Sequence, residues 1–236
     1  MISFIVPAHN EEDCIGRCLS AIHEAAEPLG EPYEIVVADD ASTDRTAAIA
    51  EEHGARVIRV RNRQIAATRN AGARAANGDV FFFVDADTLA NEAALCAARE
   101  ALKKGAVGGG CVFDFDGPLP LWARVLLPGA IALMRLLNAT GGCFLFCTRE
   151  AFEAAGGFCE RYYAIEDRPF IGALKRRGRF VLLRPRVITS GRKVREISFW
   201  QAIRLVARVA FRGPEAFTRR EGSELWYGPS GDGPPS

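Results

Sequence analysis

The sequence lacks cysteine pairs at CxxC spacing, a hydrophobic run of bilayer-spanning length, and a strong excess of charge of either sign. Its seven cysteines are an odd number and widely scattered, which argues against a zinc ribbon or a secreted disulfide scaffold and favours reduced, buried thiols. The formal net charge of +1 gives no reason to expect nucleic acid as a partner. We therefore expect a cytoplasmic protein that binds no nucleic acid.

Nothing in the sequence predicts export or a membrane span. The longest apolar stretch, residues 125–134, is bounded by Arg124 and Arg135, and is well short of the roughly 20 residues that a spanning helix needs. Near the N-terminus, Pro7 stands where the helix of an export signal would have to continue. The sequence does not decide whether the protein also binds peripherally to the inner face of a membrane.

The chain is long enough for one domain of generous size, with 236 residues of which 49% are hydrophobic. We expect a single domain over residues 1–225 and a disordered tail over 226–236, where Gly, Pro and Ser dominate. Within the domain, we assign residues 1–105 to donor binding, 106–195 to the acceptor and catalysis, and 196–225 to a C-terminal amphipathic helix region.

Short apolar runs alternate with helical patterns in the first half, which predicts βαβ units and a mostly parallel, Rossmann-like sheet flanked by helices. The predicted strands are 2–7, 34–39, 56–60 and 79–85, and the predicted helices are 12–26, 46–53, 65–76 and 88–102. The second half is less regular, with strands predicted at 106–115, 143–147 and 180–187 and helices at 119–137, 151–156, 167–177 and 197–212. Because Pro185 interrupts the last strand, we expect that strand at an edge of the sheet.

Two acidic clusters follow predicted strands. Asp85 and Asp87 flank one alanine and can offer oxygens to Mg²⁺ or Mn²⁺, ions that neutralise a departing diphosphate. Asp39 and Asp40 end another strand, where a carboxylate can accept hydrogen bonds from a base or a ribose. Each pair also has a structural interpretation, since such residues commonly end strands and cap the helices that follow. Caps for the second helix are supplied by Ser42 and Asp44.

Taken in order, five motifs give the chain a resemblance to family 2 glycosyltransferases of the GT-A fold. They are Pro7-Ala-His-Asn-Glu-Glu12, Asp39-Asp40-Ala-Ser-Thr-Asp44, Ala67-Thr-Arg-Asn-Ala-Gly72, Asp85-Ala-Asp87, and Gly156-Gly-Phe158 with Glu166-Asp167. The resemblance implies an inverting transferase that moves a sugar from a UDP- or GDP-sugar to an acceptor hydroxyl, with a divalent metal assisting the diphosphate. The acceptor would be a sugar, a lipid-linked molecule or another small molecule.

Donor-binding roles carried over from the resemblance fall on the first three motifs. His9 would lie against the base, where the family often has an aromatic residue. Asp39 would meet the base N–H, Asp40 the ribose, and Arg69 the base or diphosphate. Three further residues of the first motif, Pro7, Asn10 and Glu11, are counted with the donor pocket.

Metal and catalytic roles fall on the later motifs. Asp85 would meet the ribose or the metal, and Asp87 the metal directly. Asp167 would be the general base, with Glu166 orienting it or contacting the acceptor. Read locally, Glu166 and Asp167 are equally well explained as acidic residues at a helix N-terminus.

The chain departs from several metal-dependent relatives, because no histidine follows Asp167. Arg192 and Lys193 occupy the loop that would supply one, and they either clamp the diphosphate or form a solvated basic turn. Helix 197–212 either packs against the domain, packs against a second subunit, or lies on an anionic membrane. The second alternative would make the protein a homodimer. Two rival functions are a nucleotidyltransferase on a related fold and a non-catalytic nucleotide-sugar-binding protein.

Overall fold

The computed structural model describes residues 1–218. Its strands are β1 (Ile2–Ala8), β2 (Tyr33–Asp40), β3 (Arg56–Val60), β4 (Val80–Val84), β5 (Thr88–Leu89), β6 (Ala106–Phe115), β7 (Phe144–Thr148) and β8 (Arg179–Thr189). Its α-helices are α1 (Ile15–Ala26), α2 (Thr46–Glu52), α3 (Ile65–Ala75), α4 (Glu92–Lys103), α5 (Leu121–Leu136), α6 (Arg149–Ala155), α7 (Asp167–Arg177), α8 (Arg192–Glu196) and α9 (Phe199–Arg212). The predicted tail, 226–236, lies outside the described residues.

The eight strands form one sheet in the order β3-β2-β1-β4-β7-β6-β8-β5. Strands β3, β2, β1 and β4 run parallel, as the βαβ pattern predicts. Strand β7 is antiparallel to both of its neighbours, and β6 and β8 are again parallel. The prediction of a mostly parallel α/β sheet is confirmed, and its parallel half brings the carboxyl ends of β1, β2 and β4 to one edge.

Helices cover both faces of the sheet, because the side chains of its strands are apolar on both faces and each face must be buried. In β4, Phe82 and Phe83 point to opposite faces and belong to different cores. Helices α1 and α4 complete the first core, and α3, α6 and α7 complete the second. Within residues 1–218, no helix combines the length and the apolar character needed to cross a bilayer.

The helix predicted at 88–102 is wrong at its start. Thr88 and Leu89 form the short strand β5, which pairs with Thr189 and Ile188 at the end of β8. Asn91 then caps α4, its side chain accepting the N–H of Ala94 at 2.9 Å. The pairing with a strand about a hundred residues away overrides the local helical pattern.

The edge position predicted for the strand 180–187, which contains Pro185, is confirmed. Strand β8 pairs with β6 on one side, and on the other side β5 pairs only with Ile188 and Thr189 at its end, so within residues 1–218 no strand flanks Pro185 there. The register of β8 against β6 jumps from Cys111 opposite Leu183 to Val112 opposite Arg186. Pro185 falls in this irregularity, where the ladder does not need its missing N–H.

Candidate active site

The loops that follow β1, β2 and β4 meet at one edge of the sheet, joined by two segments from the second half of the chain. The backbone N–H of Asp85 donates to the Cys143 carbonyl at 3.0 Å, which places the 140–143 loop beside the end of β4. The Ser190 N–H donates to the Asp87 carbonyl at 3.1 Å, which places the loop after β8 there as well. Segments from both halves of the chain therefore meet at this edge of the sheet.

Asp39 and Asp40 end β2 with different surroundings, although both are buried. The Asp40 carboxylate accepts the N–H groups of Asn62, Arg63 and Gln64 and the hydroxyl of Thr68, at 2.7–3.2 Å. It thereby fixes the loop that enters α3 and has its oxygens engaged by the chain. Asp39 Oδ1, in contrast, is buried with no hydrogen-bond partner among the described residues, which is costly unless a ligand supplies a donor.

The first motif is tied to the loop after β2. Pro7 is buried in β1, beyond the last residue of that strand that pairs with β4. His9 Nδ1 lies 2.7 Å from the Asp40 carbonyl oxygen, so the imidazole is held at the strand end. Asn10 adopts a left-handed conformation at φ 52°, and its Oδ1 accepts the Thr43 N–H at 2.8 Å.

Of the two helix caps predicted after β2, Ser42 and Asp44, only Asp44 acts at the start of α2. Asp44 accepts the Thr46 N–H at 2.9 Å and acts at the start of α2 as expected. Ser42 instead accepts the N–H of Asn10 at 3.0 Å, so its hydroxyl joins the two loops and does not cap the helix.

Asp85 and Asp87 stand at the end of β4 as an acidic pair. Burial, reinforced by the charge of Asp85, raises the pKa of Asp87 to about 6. Lys193 lowers this pKa and Glu11 raises it, so the charges of both side chains act on Asp87. Within residues 1–218 no three histidine, cysteine or acidic side chains are gathered closely enough to hold a metal alone.

The donor set nevertheless suits a hard divalent cation. Two carboxylates that repel each other in a partly buried cleft are stabilised by a cation, and Mg²⁺ and Mn²⁺ take oxygen ligands from one or two carboxylates plus phosphates. Asp87 and Asp85 are the residues that would hold it. The Thr189 hydroxyl, 3.3 Å from Asp87 Oδ1, would orient the carboxylate.

Arg69 is the centre of the buried charge network. Its side chain is 1% exposed, and its guanidinium donates to Asp85 Oδ1 at 2.6 Å, to Glu166 Oε1 and to the Gly142 carbonyl at 3.2 Å. Burial alone would lower the pKa of Arg69, but Asp85 and Glu166 together raise it above its ordinary value. The guanidinium therefore fixes the spacing between the acidic pair of β4 and the acidic start of α7.

Glu166 and Asp167 are both buried where α7 begins. Burial raises the pKa of Glu166, and Arg69 opposes that rise. For Asp167, burial and then the neighbouring Glu166 raise the pKa to about 7. A carboxyl with this pKa is ionised about half the time near neutral pH and can accept a proton there.

Gly142, which the sequence analysis did not single out, lies against Arg69 and Asp167. A Cβ built on it would stand 3.3 Å from Asp167 Cβ and 3.4 Å from Asp167 Oδ2 and from Arg69 Nη2. The only signal in the sequence is the Gly141-Gly142 pair, which is separated from β7 by Cys143 alone. A side chain here would fill the space beside Asp167.

Arg192 closes the site from the C-terminal side. Its guanidinium donates to both Glu11 oxygens at 3.1 Å, joining the loop after β8 to the loop after β1. Burial raises the pKa of Glu11, while Arg192 and Lys193 lower it. Arg192 and Lys193 therefore begin the short helix α8 and do not lie in a loop as the sequence predicted, and Arg192 faces the acidic Glu11.

Comparisons with known proteins follow the same lines. A sequence model described as glycosyl transferase family 2 matches residues 3–152. The dolichol-phosphate mannosyltransferase of Pyrococcus furiosus is 30% identical over 148 residues, covering 57% of this chain and 40% of the relative. An undecaprenyl-phosphate 4-deoxy-4-formamido-L-arabinose transferase from Edwardsiella ictaluri is 36% identical over 93 residues, covering 36% of this chain and 29% of the relative. The chain spans less than half the length of these relatives.

Solved structures agree on the fold. A mannosyltransferase from Pyrobaculum calidifontis, in complex with GDP-Man and Mn²⁺, has a TM-score of 0.68 at 21% identity over 88% of this chain and 60% of that one. Residues 1–349 of S. aureus TarS have a TM-score of 0.64 at 21% identity, covering 87% of this chain and 64% of that one. At this level of identity the likeness extends to the fold alone.

Proposed function

The chain belongs to glycosyltransferase family 2, and from this premise we propose that it transfers a sugar from a nucleoside-diphosphate sugar to an acceptor hydroxyl with inversion at the anomeric carbon. The observation that carries the proposal is the network in which Arg69 joins Asp85 to Glu166, beside Asp167. The network supports the proposal because one guanidinium joins Asp85 of the candidate cation site to the neighbour of the candidate base, and a direct displacement requires these groups close together.

Donor recognition is proposed for the ends of β1 and β2. Asp39 Oδ1 is a buried acceptor that has no partner within residues 1–218, which suits the N–H of a uracil or guanine base. His9 would flank the base from β1, with Pro7 and Asn10 shaping that side of the pocket. We propose that Asp40 acts indirectly, because its oxygens already hold the loop into α3.

We propose that the diphosphate lies between the acidic pair and the basic start of α8. A divalent cation held by Asp87 and Asp85 would neutralise charge on the leaving group. Structures of two proteins of similar fold, the Pyrobaculum calidifontis mannosyltransferase and glucosyl-3-phosphoglycerate synthase from Mycobacterium tuberculosis, were solved with Mn²⁺. Arg192, held by Glu11, and Lys193 would contact phosphate oxygens from the other side.

The acceptor hydroxyl would lie against Asp167. As its oxygen bonds to the anomeric carbon, the hydroxyl proton passes to the Asp167 carboxylate and the bond to the diphosphate breaks on the opposite face. Arg69 keeps Glu166 ionised and fixed, so that Glu166 orients the base.

The acceptor class remains part of the proposal. Two relatives are named for polyprenyl substrates, dolichol phosphate and undecaprenyl phosphate, so a lipid-linked acceptor is included.

A donor panel tests the proposed function. The full chain is mixed with Mn²⁺ and UDP- or GDP-sugars, and thermal stabilisation and nucleoside-diphosphate release are measured with alcohol and polyprenyl-phosphate acceptors. We expect one donor to raise the melting temperature and to turn over only with acceptor, and Asp39→Asn to weaken that stabilisation. Release of pyrophosphate from a nucleoside triphosphate, with the nucleotidyl group transferred to a sugar phosphate, would indicate the nucleotidyltransferase, and donor binding without turnover would indicate a binding protein.

A further inference from the structure

Helix α5 presents an apolar face to solvent in the described part of the chain. Only Ala123 and Ile131 are buried in it, whereas Leu121 is 75% exposed, Val125 69% and Leu136 82%. The exposed residues recur at helical spacing on the side opposite the buried pair. A surface helix normally turns its polar side to water, so this helix has the reverse pattern.

Helix α9 exposes a second set of apolar side chains. Trp200, Ile203 and Val206 are exposed along one side. The rings of Trp122 and Phe199 meet edge to face with centroids 6.3 Å apart, which joins the start of α9 to the start of α5. We call the exposed apolar side chains of α5 and α9 the apolar face.

The charges around the apolar face have one sign. No acidic residue occurs from 117 to 149 or from 197 to 214. The exposed basic residues on the two helices are Arg124, Arg135, Arg204 and Arg208. Apolar side chains flanked by arginines match an interface of acyl chains below anionic headgroups.

We propose that the apolar face binds the surface of a bilayer that contains anionic phospholipids. A second copy of the chain is the less suitable occupant, because a two-fold contact would bring these arginines together with no carboxylate on either helix to pair with them. The packing of Ala123 and Ile131 against the domain keeps α5 along its surface, where it can lie in the plane of the headgroups.

The apolar face adjoins the candidate active site. Asp116, which precedes α5, accepts the Gly191 N–H at 2.7 Å and the Arg195 guanidinium. Gly191 directly precedes Arg192, which contacts Glu11 in the site. If the proposed transferase uses a lipid-linked acceptor, the bilayer would deliver it beside this loop; binding to the bilayer itself does not depend on the reaction.

Sedimentation with vesicles tests the inference without donor or acceptor. The full chain is mixed with vesicles of equal parts phosphatidylcholine and phosphatidylglycerol, or of phosphatidylcholine alone. Since four arginines near an anionic surface each contribute, we expect partitioning roughly a hundredfold weaker on neutral vesicles. We expect the double variant Val125→Glu with Leu136→Glu to lose binding to the anionic vesicles by roughly a hundredfold, because both side chains would be buried in the interface.

A matched control adds the same charge elsewhere. Ala93→Glu with Cys96→Glu places two carboxylates on the exposed side of α4, and we expect binding within twofold of the unaltered chain. Circular dichroism and sedimentation velocity are measured on all three proteins. The proposal would be overturned if both variants lost binding equally or if the unaltered chain did not bind the vesicles. It would also be overturned if the unaltered chain were a dimer that the α5 substitutions dissociate, a result that would assign the apolar face to a second copy.

Discussion

Replacing Arg69 by methionine removes the only cation that the structure shows bridging Asp85 and Glu166 within residues 1–218. The side chain is 1% exposed and Glu166 7%, so removing the guanidinium leaves a buried carboxylate without compensation. Breaking a buried pair in this way costs about 3–5 kcal/mol. In a domain of this size, that loss lowers the melting temperature by roughly 10 °C.

The loss should depend on pH, which distinguishes a charge effect from a packing effect. Without Arg69 the pKa of Glu166, already raised by burial, rises further. An acid whose folded pKa is raised contributes stability below its unfolded pKa and loses it as the pH rises through the folded value. The difference between variant and unaltered chain should therefore be smaller at about pH 5 than at about pH 8, by about 1–2 kcal/mol.

Urea denaturation at the two pH values measures both quantities. Arg74→Met on the exposed side of the same helix is the control, and its effect should stay within about 0.5 kcal/mol. Arg69→Lys keeps a charge but cannot fork between two carboxylates, so an intermediate loss is expected. A loss that is equal at both pH values, or below about 1 kcal/mol, would refute the network as described.

Three further predictions concern activity. Gly142→Ala should lower turnover roughly 10- to 100-fold, because its methyl group enters the space beside Asp167, while Gly172→Ala in the helix of the base should leave turnover unchanged and gain up to about 1 kcal/mol. Turnover should rise with pH through about 7, since Asp167 must be ionised to accept a proton, as a pH–rate profile would measure. Asp87→Asn should raise the Mn²⁺ concentration needed for half-maximal turnover at least roughly tenfold, and a chelator should abolish turnover of the unaltered chain.

Each of these predictions has a contrary result. Equal turnover in the Gly142 and Gly172 variants would show that the space beside the base is not used. A flat profile between about pH 5.5 and 8.5 would remove Asp167 as a titrating base. Full activity in chelator would leave the acidic pair without a metal to hold.

The parallel half of the fold could be predicted because its signals are local. Strands β1 to β4 are short apolar runs between helical patterns, and chain order alone places their acidic ends at one edge. The register of β8 could not be predicted, because it shifts opposite Cys111 to accommodate Pro185. The extended conformation of Thr88 likewise depends on a partner strand far along the chain.

Residue types were predicted better than their partners. The sequence indicated Asp39 and Asp40 equally, and only the fold separates an unpartnered acceptor from a carboxylate that holds a loop. Arg69 was expected at the base or diphosphate, yet it lies between two carboxylates. Gly142 carries no chemical group, so its place beside Asp167 is visible only in three dimensions.

The most direct test of the central claim is single-turnover transfer by Asp167→Asn, with donor binding measured by calorimetry on the same sample. Asparagine keeps the shape of the side chain but cannot accept the proton, so transfer should fall roughly 10²- to 10⁴-fold while Mn²⁺-dependent donor affinity stays within about twofold. Transfer at the rate of the unaltered chain would contradict the assignment of the base and the displacement built on it.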